Sequence, residues 1–280
     1  MIPAEFDYAR PSSVEEALTA LRDGGEDAKL LAGGHSLLPL MKLRLAAPTL
    51  LVDLGSVPGL TGIERSNGAW HIGAMTTHSA MAADASLGLA AQVAGTIADP
   101  QVRNRGTIGG SLAHGDPASD QLAVLLACEG SVVVRGGGGE REIAAADLFE
   151  DYLTTAVGDD EVLTQVRLPA MDGYGFAYEK FNRRREDWAM VAVAALVKKG
   201  ADGSCEDVRI GLTHMSSVPL RATAAENALR GGPLDANAIA AAAELAAEGT
   251  DPPGDLNASP EYKRHLARVL CRRALTTAAA

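Results

Sequence analysis

Two glycine-rich stretches about 75 residues apart carry the most legible chemistry of this chain: Ala32-Gly33-Gly34-His35-Ser36 and Thr107-Ile108-Gly109-Gly110-Ser111. Glycine has no Cβ and tolerates positive φ, so each stretch predicts a tight turn whose backbone can approach a ligand closely. Successive N–H groups in such a turn point into one concavity that suits phosphate. Each stretch also ends in a serine hydroxyl. Together they predict one diphosphate gripped from two sides, and so a dinucleotide. In the first, the N–H groups of Gly34, His35 and Ser36 should be free, with the positive end of a following helix behind them. Taken alone, that stretch also fits a plain strand-to-helix turn. Neither the G-x-G-x-x-G nor the G-x-x-x-x-G-K-[ST] pattern is present at these positions, which excludes a Rossmann or P-loop site.

Residues 107–120 are the polar centre of the sequence. His114, Asp116 and Asp120 are conceivable metal ligands, but one imidazole beside two glycines and Pro117 fits a cofactor cradle better. Asp120 reads either as the cap of a helix over 119–128 or as a carboxylate that accepts bonds from a ligand. Lys180 lies on a strand pattern, where a lone lysine is ordinarily exposed. The run Arg183-Arg184-Arg185-Glu186-Asp187 reads as a solvated loop, a bend at the ligand or a docking edge, with Trp188 directly after it. His71, His78, His214 and His265 have no metal spacing and read as structural or surface residues. Four glycines at 136–139 form a hairpin tip, since neither a helix start nor Lys-Ser/Thr follows. No Ser/His/Asp triad can be assembled.

The elements that must position these residues divide the chain near 171. Ser12 and Ser13 with Glu15 and Glu16 are overlapping capping boxes, predicting a helix to about Arg22. A strand over 29–32, a helix over 37–43 with Pro39 early in it, and a strand over 49–54 complete a small α/β unit of about 1–56. Ser66-Asn67-Gly68 between Ile63–Arg65 and Ala69–Ile72 predicts a hairpin. Helices follow at about 77–84, 88–98 and 119–128, and strands at 131–135, 140–143 and 161–168. Beyond Met171–Gly175 come strands near 176–182, 189–198 and 206–213, then helices near 221–230, 235–248 and 260–277. Strands followed by helices predict an α+β domain.

Bulk properties exclude several classes. A chain of 280 residues with 47% hydrophobic and 22% charged residues is an ordinary globular protein of about two domains. Its net charge of −11 argues against a nucleic-acid partner. No apolar run reaches bilayer length, and Met1–Asp7 has neither a basic nor an apolar signal region, which predicts a cytoplasmic protein. Cys128, Cys205 and Cys271 are isolated, with no C-x-x-C pair and one thiol too few for a [2Fe–2S] cluster. Any iron–sulfur centre must then belong to another chain.

At the two glycine motifs taken together the chain resembles the FAD-binding medium subunit of molybdenum hydroxylases, of the aerobic carbon monoxide dehydrogenase and xanthine dehydrogenase family. The resemblance rests on Ala32 to Arg44, on Arg103 to Pro117, and on Glu179-Lys180-Phe181 to Trp188, and it extends over essentially the whole chain. It implies an α+β fold. A two-part FAD-binding domain of the vanillyl-alcohol-oxidase-like (PCMH) type spans 1–171, with parts at about 1–56 and 57–171. A C-terminal domain over 174–280 carries a three-stranded antiparallel sheet and a helical bundle. Non-covalent FAD would be held by Leu31, Ala32, Gly33, Gly34, His35, Ser36 and Leu37 and by Thr107, Gly109, Gly110 and Ser111 at the pyrophosphate. His114 and Asp116 would line the same cleft and Asp120 would bond the adenosine ribose. Ile97 would press on the isoalloxazine, Leu163 would sit at the adenine, Lys180 would approach the ring's polar edge, and Trp188 would stand nearby. The resemblance further implies a small [2Fe–2S] subunit, a large molybdopterin subunit, assembly as a dimer of heterotrimers and an external electron acceptor. A stand-alone FAD oxidoreductase of the same superfold would need a proton donor beside the flavin, and none is evident; an assembly subunit without cofactor would have no use for two intact glycine motifs.

Overall fold

The computed structural model describes residues 2–280, built around three main sheets and one two-stranded ribbon. The first sheet is parallel, with Leu50–Asp53 between Asp7–Ala9 and Ala28–Leu31. The helix Val14–Gly24 begins as its capping boxes predict: Ser13 Oγ accepts the Glu16 N–H at 3.1 Å, and the Glu16 carboxylate accepts the Ser12 N–H at 2.7 Å. Its apolar face, Ala17, Leu18 and Leu21, packs with Val52 and Leu54 into a small core of its own. The helix after the first glycine motif runs Leu37–Leu43, as predicted. Strand Asp7–Ala9 went unforeseen, because three residues show no period.

The second sheet is antiparallel, in the order Ile63–Ser66, Ala69–Gly73, Val162–Pro169, Ser131–Gly136, Gly139–Ala144. Its first hairpin turns at Asn67 and Gly68, whose φ of 49° and 75° are the two positive values a type I′ turn needs. Gly136–Gly139 is the tip of the other hairpin. Four helices correct the sequence reading. The helix expected over 88–98 is Leu89–Ala94, and the chain then bends through Ala98, at φ 42°, before the short helix Pro100–Arg103. The second glycine motif is not a turn. It opens the helix Ile108–His114, with Thr107 at the N-cap accepting the Gly110 N–H at 3.1 Å. The short helix Ala145–Leu148 was also missed.

The third sheet pairs Tyr174–Phe181, Val191–Lys199, Cys205–Thr213 and the two-residue Leu220–Arg221, all antiparallel. The three expected strands thus gain a short fourth. Helices Thr223–Leu229, Ala236–Glu244 and Pro260–Ala278 follow the strands. Strand Val191–Lys199 is buried on both faces. Ala192, Ala194 and Leu196 join the core of residues 72–168, while Val191, Val193, Ala195 and Val197 face the C-terminal helices. One core therefore runs across position 171. At its centre the helix Asp120–Ala127 packs so closely on the third sheet that a Cβ at Gly211 would lie 2.2 Å from the Ala123 carbonyl oxygen.

All three cysteines are buried, and burial pushes the Cys128 and Cys271 thiols up to about 12 and raises that of Cys205. They act as small apolar fillers.

Candidate functional site

A cleft of about 880 Å³ opens where the three sheets meet. Both glycine motifs reach it and touch each other. A Cβ added at Gly110 would stand 3.6 Å from the Ala32 Cβ. Gly33 backs directly onto the segment before the second motif, its absent Cβ lying 2.3 Å from the Arg105 carbonyl oxygen. Gly109 presses on Ala74 in the same way, at 2.6 Å. Gly33 and Gly109 are therefore required first by packing of protein on protein, and only Gly34, at φ 79°, is required by a left-handed backbone.

The two motifs present different groups to the cleft. At the first, the N–H groups of Gly34, His35 and Ser36 meet no acceptor among the described residues, and the Ser36 hydroxyl is not used as a helix cap. At the second, every amide from 108 to 111 is already bonded. Ile108 donates to Thr76 O, Gly109 to Ala74 O, Gly110 to Thr107 Oγ1 and Ser111 to Thr107 O. In place of the expected pair of amide nests the cleft is lined by one nest, at the first motif, and by the Thr107 N–H and the Ser111 hydroxyl at the second.

Three imidazoles line this region: His35, His78 and His114. His78 Nε2 lies 3.1 Å from Ser111 Oγ, and its Nδ1 is buried with no hydrogen-bond partner among the described residues. Burial, reinforced by Arg103 and His35, pulls the His78 ring down to about 4, so it is neutral near neutral pH. Burial also lowers His114, against the opposing pull of Asp116.

At another part of the cleft Asp120 begins the central helix. Its Oδ2 receives Lys180 Nζ at 2.8 Å and its Oδ1 receives the Tyr178 hydroxyl at 2.5 Å. Burial pushes the Asp120 carboxyl above the usual carboxylate range, and Lys180 and Tyr178 pull it back. The Tyr178 hydroxyl is raised well above its ordinary value by burial and then by the Asp120 charge. Asp120 does not serve as the helix cap; Ser119 takes that position.

The chain matches the FAD binding domain in molybdopterin dehydrogenase over residues 4–171 and the CO dehydrogenase flavoprotein C-terminal domain over residues 176–278. The chain belongs to the FAD-binding medium chains of the molybdenum hydroxylases. It is 41% identical to the carbon monoxide dehydrogenase medium chain of Hydrogenophaga pseudoflava, covering 99% of this chain and 98% of that one. It is 40% identical to the nicotine 6-hydroxylase medium subunit of Paenarthrobacter nicotinovorans, covering 98% and 97%. A solved structure of the Hydrogenophaga pseudoflava carbon monoxide dehydrogenase, lacking the Mo-pyranopterin moiety of its cofactor, superposes with a TM-score of 0.96 at 43% identity, over 99% of this chain and 98% of that one. The first two relatives are named for chemically unrelated substrates at nearly equal identity, so resemblance of this chain does not select a substrate. Their names, dehydrogenase and hydroxylase, are those of oxidoreductases.

Of the residues expected at the cofactor of this medium chain, Ala32, Gly33, Gly34, His35, Ser36, Leu37, Ile97, Thr107, Gly109, Gly110, Ser111, His114, Asp120, Leu163, Lys180 and Trp188 line the cleft. Leu31 and Asp116 do not. Leu31 ends the strand Ala28–Leu31 and packs under Gly34. Asp116 folds back on its own loop, its Oδ1 accepting the Ala118 N–H at 2.9 Å. Two side chains that sequence reading did not assign to the site support it. His78 holds Ser111, and Arg103 donates to the carbonyls of Ile97 and Ala98 at 2.7 and 2.9 Å, fixing the strained bend that presents Ile97. No sequence signal marked Arg103, because the bend at Ala98 that it holds shows only once the helix is known to end at Ala94.

The cleft residues fit FAD. A volume of about 880 Å³ is at the large end of small-molecule sites, as a dinucleotide requires. Three unengaged amides and a serine hydroxyl converge where a diphosphate would lie, and the apolar Ile97 and Leu163 leave room for flat rings.

Proposed function

We propose that this chain is the non-covalent FAD carrier of a heterotrimeric molybdenum hydroxylase. The observation that carries the reading is the nest of three unengaged amides at Gly34–Ser36 in a cleft that Ser111 also lines. Gly34, His35 and Ser36 would donate to the pyrophosphate from one side. Ser111, with the Thr107 hydroxyl behind it, would do so from the other. Ile97 would press on the isoalloxazine and Leu163 on the adenine. Asp120 and Lys180 bond each other, so they meet the cofactor as one contact region and not at opposite ends. Trp188, a little over half exposed, would cover the rim. Leu31 and Asp116 act behind the lining, shaping the two loops.

FAD, when bound, would supply the redox chemistry between the [2Fe–2S] clusters of a small subunit and an external acceptor. The chain's own residues orient it and set the charge around it. A large molybdopterin subunit would transform the substrate, in a dimer of heterotrimers in the cytoplasm. The residues divide as 1–171, of PCMH type in two parts, and 174–280. No helix among the described residues is long and apolar enough to cross a membrane.

The test is to mix the FAD-loaded chain with reduced [2Fe–2S] subunit and follow flavin absorbance anaerobically. Bleaching that needs the partner supports the reading. Bleaching by a small organic donor without any partner supports a stand-alone oxidoreductase instead.

A further inference from the structure

With its amides from 108 to 111 internally bonded, the second motif can reach an anion only through the Thr107 N–H, which meets no acceptor among the described residues, and the Ser111 hydroxyl. The direction of that hydroxyl's hydrogen decides whether the motif attracts phosphate or repels it, and His78 controls it. The ring is clamped. The His78 backbone N–H donates to Gly106 O at 3.0 Å, and a Cβ at Gly106 would come within 3.0 Å of the ring. Nε2 stands 3.1 Å from Ser111 Oγ, while Nδ1 is sealed from solvent with no partner among the described residues.

Two neutral tautomers are available. With the proton on Nδ1, a buried N–H is left without an acceptor, and Ser111 must spend its own hydrogen on Nε2. Its lone pairs then face the cleft. With the proton on Nε2, the orphan is only a lone pair, a lesser loss than an orphan N–H. Nε2–H then donates to Ser111 Oγ, and the serine hydrogen turns outward. We infer that His78 is a positioning residue, held as the Nε2–H tautomer so that Ser111 presents a donor, and not lone pairs, to the diphosphate of the bound cofactor. This rests on the cleft being the FAD site.

The test is a double-mutant cycle on FAD affinity of the full chain stripped of flavin, read by flavin fluorescence. His78→Phe keeps the ring and removes both nitrogens; Ser111→Ala removes the hydroxyl. Each alone weakens FAD binding by roughly 10- to 100-fold, the usual effect of losing one hydrogen bond to a charged group. In the Ser111→Ala background His78→Phe costs less than about twofold more, because it acts only through that hydroxyl. His78→Gln, which can bring an amide N–H to the Nε2 position, restores most of the affinity, and His78→Asn does not. This comparison carries the test if His78→Phe fails to fold. Equal penalties for His78→Phe with and without Ser111 overturn the inference while leaving the site intact. A wild-type chain that takes up no FAD overturns the site reading itself.

Discussion

Lys180 Nζ lies 2.8 Å from Asp120 Oδ2, with both side chains less than a tenth exposed, although 60 residues separate them. The pair joins the strand Tyr174–Phe181 to the first residue of the central helix, across the boundary near 171. Tyr178, on the same face of the strand, occupies the other carboxylate oxygen. Removing Asp120 would leave an ammonium buried without its partner, which costs about 3–5 kcal/mol. Asp120→Ala should lose that much in urea denaturation, and Asp120→Ala with Lys180→Met should regain most of it. Losses that simply add would contradict the pairing.

The same pair should tune the flavin. Lys180→Met leaves the Asp120 charge unbalanced beside the cleft, which disfavours electron-rich FAD. The bound flavin's potential should fall by roughly 30 mV or more, equivalent to about 1.4 kcal/mol for two electrons. An unchanged potential in spectroelectrochemical titration would place the pair away from the ring.

Glycines 33 and 34 should respond differently to alanine. At Gly33 the new Cβ meets backbone, Arg105 O at 2.3 Å and Gly106 Cα at 2.7 Å, and neither can yield without parting the two motifs. At Gly34 the nearest atom is Leu38 Cδ1 at 2.9 Å, the end of a flexible side chain, and the cost is mainly the left-handed backbone, about 1–2 kcal/mol. Gly33→Ala should therefore lower the melting temperature more and lose FAD. Equal effects would mean that the cleft does not depend on the contact between motifs.

Much of this was legible in the residues, for identifiable reasons. The hairpin at Asn67-Gly68, the helix Leu37–Leu43 and the three long C-terminal strands carry strong local signals, in turn chemistry or apolar pattern. The glycine motifs marked the cleft correctly. The helix Ile108–His114 was missed because Gly109-Gly110 is poor helix sequence. Tertiary contact overrides propensity there, since Gly109 must lie against Ala74. Residues that act through distant partners were not legible. Nothing near His78 in sequence announces Ser111, and nothing near Lys180 announces Asp120.

Burial of imidazoles gives stability a pH dependence of definite sign. Burial lowers His78 to about 4 and also lowers His114 and His214 from the ordinary 6.5. Between those limits the unfolded chain binds protons that the folded chain refuses, so stability falls as pH drops from 6.5 toward 4. The melting temperature should decline across that interval, and His78→Gln should flatten the decline. A wild-type melting temperature constant from pH 6.5 to 4.5 would contradict the buried neutral ring.

The central claim is that this chain holds one FAD between its two glycine motifs. The direct measurement is the visible spectrum of the purified chain after incubation with FAD and gel filtration, followed by denaturation and identification of the released flavin. One FAD released per chain, lost in Gly33→Ala, is the result predicted here. A colourless wild-type chain that releases no flavin would contradict it.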